Sequence, residues 1–174
     1  YKYYMKILAV QSRMGIGDTV IFLPFIKALS KKFNSPISIL VKENSKANQY
    51  LHQTKYIDKI LILERDNKTN NRHGGFFGIF KLAKDLKKYK FDKIFIFNSS
   101  LRFNLVAKIS GIPQIYQYPL FTKNKQHIIE APKKFLKENL DLDINEDPEV
   151  QIDNDSISKT CLLYTSPSPR DWMV

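Results

Sequence analysis

The 174-residue sequence has few of the residues from which several common kinds of site are built. Its one cysteine, Cys161, excludes a disulfide framework or a cysteine metal site and agrees with a reducing compartment. The three histidines are scattered and no carboxylate cluster has ligand spacing, so we expect no metal cofactor. No apolar run approaches the roughly 18 residues of a membrane-spanning helix, which argues against a transmembrane segment and a signal peptide.

Acidic residues are also scarce, 17 against 28 Lys and Arg, which gives a formal net charge of +11. The imbalance is concentrated in residues 1–137, which hold 26 of the basic residues and 8 of the acidic ones. A basic surface suits an anionic partner such as a phosphorylated glycolipid, a membrane surface or nucleic acid. The excess of Lys over Arg, 23 to 5, fits codon bias in an AT-rich genome equally well, so both interpretations stay open.

Short apolar runs alternate with helical patterns, which predicts an α/β fold with a Rossmann-like parallel sheet and flanking helices. Pro24 lies deep in the first helical pattern and predicts a kink or a late helix start. Residues 64–75 are polar and rich in Asn and Gly, which predicts a long exposed loop after the third strand. The expected strands are 6–11, 36–41, 58–63, 92–98 and 114–118, and the expected helices are 19–33, 45–52, 76–89, 101–110 and 127–139.

The chain divides by composition into three parts. Residues 5–140 carry the α/β pattern and are expected to form one domain, with Met5 as the natural start. The acidic residues 141–160 are expected to be a linker or the start of a further domain. Residues 161–171, CLLYTSPSPRD, match the in-frame translation of a common sequencing adapter, so we interpret 161–174 as a non-native tail.

The segment MGIGD, residues 14–18, follows the first expected strand and opens a helix. Glycines let a backbone approach a ligand, and a helix N-terminus attracts an anion such as a phosphate, so a phosphate-binding turn would not be expected to carry the acidic Asp18. Asp18 either caps its own helix or takes part in chemistry. Gly15 and Gly17 either admit a sugar or pyrophosphate or simply form a tight turn. A dinucleotide fingerprint needs a third glycine near Val20, and its absence disfavours nicotinamide binding.

These features together resemble glycosyltransferase family 9, the ADP-heptose:lipopolysaccharide heptosyltransferases and their relatives, over roughly residues 5–155. No single motif is specific, but their order and spacing are. The matching features are Lys6-Ile-Leu, Gly17-Asp18, Pro24, Ala28-Leu29, Tyr56-Ile-Asp58, Phe91-Asp92 and Gly111-Ile-Pro113. Residues 98–100 lack the acid and Gln-Gly usual in the family, which leaves the acceptor open.

The resemblance implies that the chain is the N-terminal, acceptor-binding half of a two-domain GT-B enzyme, an inverting glycosyltransferase that we expect to be inactive as this fragment. It implies a nucleotide-sugar donor such as ADP-heptose, a lipopolysaccharide-core or other anionic glycolipid acceptor, and no metal. It further implies a full-length protein that is a monomer in the cytoplasm and can make peripheral contact with the inner membrane surface. The charge alone would also fit a nucleotide- or nucleic-acid-binding Rossmann module without transferase activity, although no nucleic-acid-binding signature supports that alternative.

Within this resemblance Asp18 is the favoured catalytic base. The other candidate residues are expected at the carboxyl ends of the strands, where α/β sheets bind ligands. Arginine forks suit phosphate and carboxylate groups, but a solvated loop explains the basic residues of 64–75 as well. Ser99 or Ser100 is most simply an N-cap, and His127 most simply caps or packs its helix. The candidate substrate-binding residues are Gly15, Gly17, Arg13, Arg65, Lys68, Arg72, Asn98 and Arg102.

Overall fold

The structure, a computed structural model, describes residues 4–12, 15–65, 72–119 and 128–150. Each expected strand and helix has a counterpart within these ranges. The strands are β1 (Ile7–Val10), β2 (Ile37–Lys42), β3 (Ile57–Leu63), β4 (Lys93–Ile96) and β5 (Gln114–Gln117). The helices are α1 (Ile16–Phe33), α2 (Ala47–Tyr50), α3 (Phe77–Lys87), α4 (Leu101–Ile109) and α5 (Glu130–Leu140), with a 3-10 turn at Glu43–Ser45.

The five strands form one parallel sheet in the order β3-β2-β1-β4-β5. The chain builds outward from β1 to β3, then returns to the other side of β1 to add β4 and β5. The order therefore reverses between β1 and β4, the point at which open α/β sheets bind their ligands. The central position of β1 agrees with its sequence, because all four of its residues are apolar and fully buried.

Two apolar clusters cover the two faces of the sheet. On one face, side chains of α1 and α5 such as Phe25 and Phe135 pack against Ile7, Phe95 and their neighbours. On the other face, α3 and α4 contribute Leu82 and Phe103 to a second cluster. The sheet is therefore covered by helices on both sides, as its nearly continuous apolar strands require.

Helix α1 corrects the predicted start of the first helix. It begins at Ile16 rather than Thr19 and continues to Phe33, so the late start inferred from Pro24 is wrong. The helix begins early because Asp18, in its first turn, accepts a hydrogen bond from the N–H of the N-cap residue Gly15. This bond gives a backbone donor at the helix N-terminus a partner and so stabilises the first turn. Pro24 lies inside the helix and is buried.

The described part of the acidic segment, residues 141–150, contains no helix or strand but packs against the domain. Ile144 is buried in the α1–α5 cluster. Glu146 forms ion pairs with Lys27, at 3.1 Å, and with Lys31, both on α1. No helix in the described ranges is long and apolar enough to cross a membrane.

Candidate active site at the carboxyl edge of the sheet

The carboxyl ends of β1 and β4 lie side by side at the point where the strand order reverses. The residues that follow them are in contact, because the Asn98 Nδ2 donates a hydrogen bond of 3.0 Å to the Ser12 Oγ. Helix α1 begins just beyond β1 and α4 just beyond β4. The first turns of both helices therefore border the same crevice, which we take as the candidate site.

Asp18 lies in the first turn of α1, at the third helical position. Its Oδ2 accepts a hydrogen bond of 3.3 Å from the Gly15 N–H, and the Thr19 hydroxyl donates one of 3.1 Å to the Gly15 carbonyl. The capping role that the sequence left open is therefore present. Within the described residues the Gly15 N–H is the hydrogen-bond partner of this carboxylate, and the half-buried side chain keeps its Oδ1 for another group.

Neither glycine of the segment is required by backbone conformation. Gly15 has a φ of −94° and a ψ of 160°, which any residue adopts, and Gly17 lies inside the helix. A Cβ added at Gly17 would meet no atom within 4 Å. A turn that demands glycine is thus absent, and what glycine provides at position 17 is an uncovered stretch of backbone beside the crevice.

Asn98 organises the start of α4. Ser100 is the N-cap residue of α4, as the sequence predicted, but its side chain makes no capping hydrogen bond; instead the Asn98 Oδ1 accepts a hydrogen bond of 3.0 Å from the Ser100 N–H. Gln117, at the end of β5, donates 3.1 Å and 2.9 Å hydrogen bonds to the carbonyls of Asn98 and Ser100. Sequence reasoning missed Gln117 and Ser12, although a polar residue at the end of each strand was a usable signal.

Arg102 is placed at the same edge but is engaged within the protein. Its guanidinium donates a hydrogen bond of 2.8 Å to the Gly75 carbonyl and another to the His73 carbonyl. Burial, and secondarily the charge of Arg65, lowers the pKa of Arg102 below its usual value. These contacts join the first turn of α4 to the segment before α3, so in this structure Arg102 positions the loop.

Arg72 and His73 belong to a charged cluster centred on Asp85 of α3. Arg72 contacts Asp85 at 2.8 Å, and the His73 Nε2 lies 3.3 Å from the same carboxylate. The His73 Nδ1 accepts the Glu64 N–H at 3.1 Å, so the Nε2 carries the proton and donates it to Asp85. Burial acts to raise the pKa of Asp85, but hydrogen bonds from Lys88 and His73 and the charge of Arg72 outweigh it and lower the pKa.

Of the remaining predicted site residues, only Arg65 lies within the described ranges. Arg65 follows β3 at the carboxyl edge, and its side chain is exposed. Arg13, Lys68 and His127 lie outside the described residues. The structure thus brings Asp18, Asn98 and Arg102 to one edge of the sheet, while the Nη2 of Arg72 contacts Asp85.

Comparison with solved structures identifies the fold. The chain aligns over 94% of its length with the crystal structure of a glycosyltransferase family 9 protein from Veillonella parvula, with a TM-score of 0.72 and 18% identity. It aligns over the same share with Escherichia coli ADP-heptose LPS heptosyltransferase II, with a TM-score of 0.63 and 15% identity. It spans about half of each, 49% and 52%. The chain has their fold.

This result confirms the resemblance and the fold class predicted from the sequence, a Rossmann-like α/β domain with the fold of about half of each of these two GT-B proteins. No protein-family model matches the chain, and no curated protein matches it in sequence. At these identities the likeness concerns the fold, so the functional argument depends on the residues at the carboxyl edge.

Two cavities lie near the strand ends, and neither is lined by Asp18, Asn98 or Arg102. The larger, about 590 Å³, lies at the amino edge among residues such as Lys6, Ser35 and Asp58, opposite the strand ends that bind ligands in this fold. A smaller cavity of about 320 Å³ lies at the carboxyl edge beyond β2 and β3, where it is lined by polar side chains including Glu43 and Glu64. Position in the fold outweighs size here, so we keep the candidate site at the carboxyl edge.

Among the described residues no group of His, Cys, Asp or Glu is arranged to hold a metal ion.

Proposed function

We propose that this chain is the acceptor-side half of an inverting glycosyltransferase. The whole enzyme would move a sugar from a nucleoside-diphosphate sugar, such as ADP-heptose, to a lipopolysaccharide-core or related glycan acceptor. The observation that carries the proposal is the position of Asp18, a half-buried carboxylate at the strand-order reversal, in a fold shared with two proteins of this kind. The donor site belongs, in this proposal, to a further domain of the whole protein.

Asp18 would act as the general base of the transfer. As the acceptor hydroxyl oxygen forms its bond to the anomeric carbon, the Oδ1 of Asp18 takes the hydroxyl proton. The bond between the anomeric carbon and the diphosphate breaks at the same time, and its electron pair leaves with the nucleoside diphosphate. The hydrogen bond from the Gly15 N–H to Oδ2 fixes the orientation of the carboxylate and leaves Oδ1 to face the acceptor.

The uncovered backbone at Gly17 would let the acceptor approach this carboxylate closely. Asn98 has its amide nitrogen directed to Ser12 across the crevice, so these two polar side chains can contact sugar hydroxyls. Arg65 would be the exposed cation at this edge that meets an acidic group of the acceptor. Each of these roles is a proposal that depends on that of Asp18.

The test is a set of variants in the whole protein, obtained by recovering the genomic sequence downstream of the codon for Thr160. Asp18→Asn should lower the transfer rate about 10²- to 10⁴-fold, because it removes the base. Its effect on unfolding free energy should stay near 1 kcal/mol, the usual size of a capping interaction. Asp18→Glu should preserve the cap, since glutamate suits this helical position, yet displace the carboxylate and lower the rate.

Asp141→Asn is the matched control, because Asp141 is an exposed acid in the left-handed conformation that asparagine tolerates, far along the chain at the end of α5. It should leave the rate unchanged. Near-normal transfer by a folded Asp18→Asn protein would refute the base role. A whole protein without a second sugar-nucleotide-binding domain, or one that binds nucleotides and transfers no sugar, would favour the binding-module alternative.

A further inference from the structure

The outer surface of α3 and α4 combines exposed apolar side chains with lysines. At the start of α3, Phe76, Phe77 and Phe80 are 70%, 78% and 49% exposed. Along α4, three residues spaced by four, Leu101, Leu105 and Ile109, are each about half exposed. The exposed lysines among them are Lys81, Lys84, Lys87 and Lys108, and we call these ten residues the α3–α4 face.

The charge of the α3–α4 face is unbalanced. In α3 and α4 together, five cations accompany one acid, Asp85, which is already paired with Arg72 and Lys88. Lys81, Lys84, Lys87 and Lys108 form no ion pair with any described residue. On the opposite side of the sheet most lysines of α1 and α5 are paired with acids, as in the pairs of Lys27 with Glu146 and Glu149, although Lys32 and Lys133 form no ion pair with a described residue. Codon bias explains the number of lysines but does not explain this difference between the two sides.

We propose that the α3–α4 face is a docking surface for an anionic lipid bilayer. Aromatic and branched apolar side chains bordered by lysines, with little acid, are the composition of elements that lie in a membrane interface. The apolar groups enter the headgroup region, and the lysine stems extend along it with their ammonium groups among lipid phosphates. A second copy of the chain fits this surface poorly, because a symmetric contact would bring like-charged lysines together.

The surface also has a defined position relative to the candidate site. Arg102, in the first turn of α4, donates hydrogen bonds to Gly75 and His73, so the beginnings of α3 and α4 lie next to each other. Both helices start at the carboxyl edge, where the crevice opens. Docking through the three phenylalanines would therefore hold the crevice at the membrane surface, within reach of a lipid-linked acceptor, and only this last step rests on the proposed function.

The docking itself can be tested on the 174-residue chain without any substrate, so its failure would leave the proposed function untouched. Flotation should recover the chain with vesicles of phosphatidylglycerol and phosphatidylethanolamine but not with vesicles of phosphatidylcholine. Lys81→Glu/Lys84→Glu should weaken binding at least about 30-fold, because each lysine near an anionic surface contributes about fivefold. Lys32→Glu/Lys134→Glu changes the net charge equally on the other side of the sheet and should weaken binding no more than about fivefold.

Insertion is measured with an introduced indole in a Trp172→Phe background, which removes the one tryptophan of the 174-residue sequence. Brominated lipid should quench the indole of Phe77→Trp and spare that of Lys134→Trp on α5. Equal quenching of the two, equal binding to neutral vesicles, or equal loss in both lysine variants would overturn the proposal. So would concentration-dependent self-association that Phe76→Ser/Phe77→Ser abolishes, because the occupant would then be a second copy.

Discussion

Gly78 and Gly17 provide a matched test of how the carboxyl edge is built. Each is the second residue of its helix, Gly78 in α3 and Gly17 in α1. A Cβ added at Gly78 would lie well inside 3.0 Å of the His73 backbone and 2.8 Å from the Arg102 guanidinium. A Cβ added at Gly17 would meet nothing within 4 Å. The same substitution, glycine to alanine, should therefore have opposite effects at the two positions.

The magnitudes follow from these contacts. At Gly78 the methyl group must displace backbone, and overpacking of this kind costs about 1–3 kcal/mol. The displaced His73 carbonyl accepts a charged hydrogen bond from Arg102, whose loss costs about 1.5–3 kcal/mol more. The higher helix propensity of alanine offsets up to about 1 kcal/mol of these losses. Gly78→Ala should therefore lower the free energy of unfolding by roughly 2–5 kcal/mol. Gly17→Ala should stabilise by about 0.4–1 kcal/mol.

Urea unfolding followed by circular dichroism at 222 nm measures both variants under identical conditions. If Gly78→Ala unfolds within about 0.5 kcal/mol of the unsubstituted chain, the close approach of α3 to the His73 backbone is wrong. Gly17→Ala has a second use in the whole protein. A stable Gly17→Ala variant that binds acceptor poorly would support close approach of a ligand at this backbone, whereas unchanged binding would contradict it.

Two further predictions concern charged groups. Asp85→Asn should lower stability by about 1–2 kcal/mol at pH 7. The folded-state pKa of Asp85 lies below the ordinary 3.8. The difference in melting temperature between the variant and the unsubstituted chain should therefore persist above pH 3.8 and shrink as the pH falls further. A difference that does not depend on pH would refute the charge argument. Glu146→Gln breaks exposed pairs with Lys27 and Lys31, so it should cost less than about 1 kcal/mol, and the loss should fade in 1 M salt. A loss of several kcal/mol that salt leaves unchanged would point to packing of residues 141–150 instead.

Most of the fold could be predicted because its strands are short, continuous apolar runs separated by amphipathic helices. Their order in the sheet could not be read from local pattern, since each strand alone is compatible with several positions. One signal was available in composition: the central β1 is entirely apolar, whereas the edge strands β3 and β5 carry Asp58, Lys59 and two glutamines. Polar residues are tolerated in an edge strand, because one side of that strand faces solvent.

The helix starts were predicted less well, for a physical reason. Two glycines in four residues indicated a turn, because glycine is a poor helix former. The Asp18 carboxylate and the Gly15 N–H nevertheless stabilise a helix that begins at Ile16. The second helix was predicted as a single element over residues 45–52, but it is interrupted at Lys46, which adopts a left-handed conformation with a φ of 52°. These outcomes depend on single hydrogen bonds and dihedral angles.

The candidate site was predictable in position but not in its contacts. The carboxyl edge follows from parallel strands, and it correctly locates Asp18, Asn98 and Arg102. The hydrogen bonds of Arg102 to His73 and Gly75, 29 and 27 residues away, come from the packing of α3 against α4. An arginine that looks available in a sequence can thus be engaged by carbonyl groups that only the tertiary structure brings near.

The two interpretations of Asp18 reinforce each other once its atoms are considered separately. Capping engages Oδ2, and a general base needs one oxygen with a free lone pair, which, among the residues that the structure describes, Oδ1 provides. A base held by a backbone N–H on a helix is better oriented than one on a loop, because the helix packs against the sheet and restricts the movement of the side chain. The cap would therefore orient Asp18 for the proposed base role. A small loss of stability together with a large loss of rate in Asp18→Asn would be the sign that both roles coexist, whereas comparable losses in both would indicate a structural residue alone.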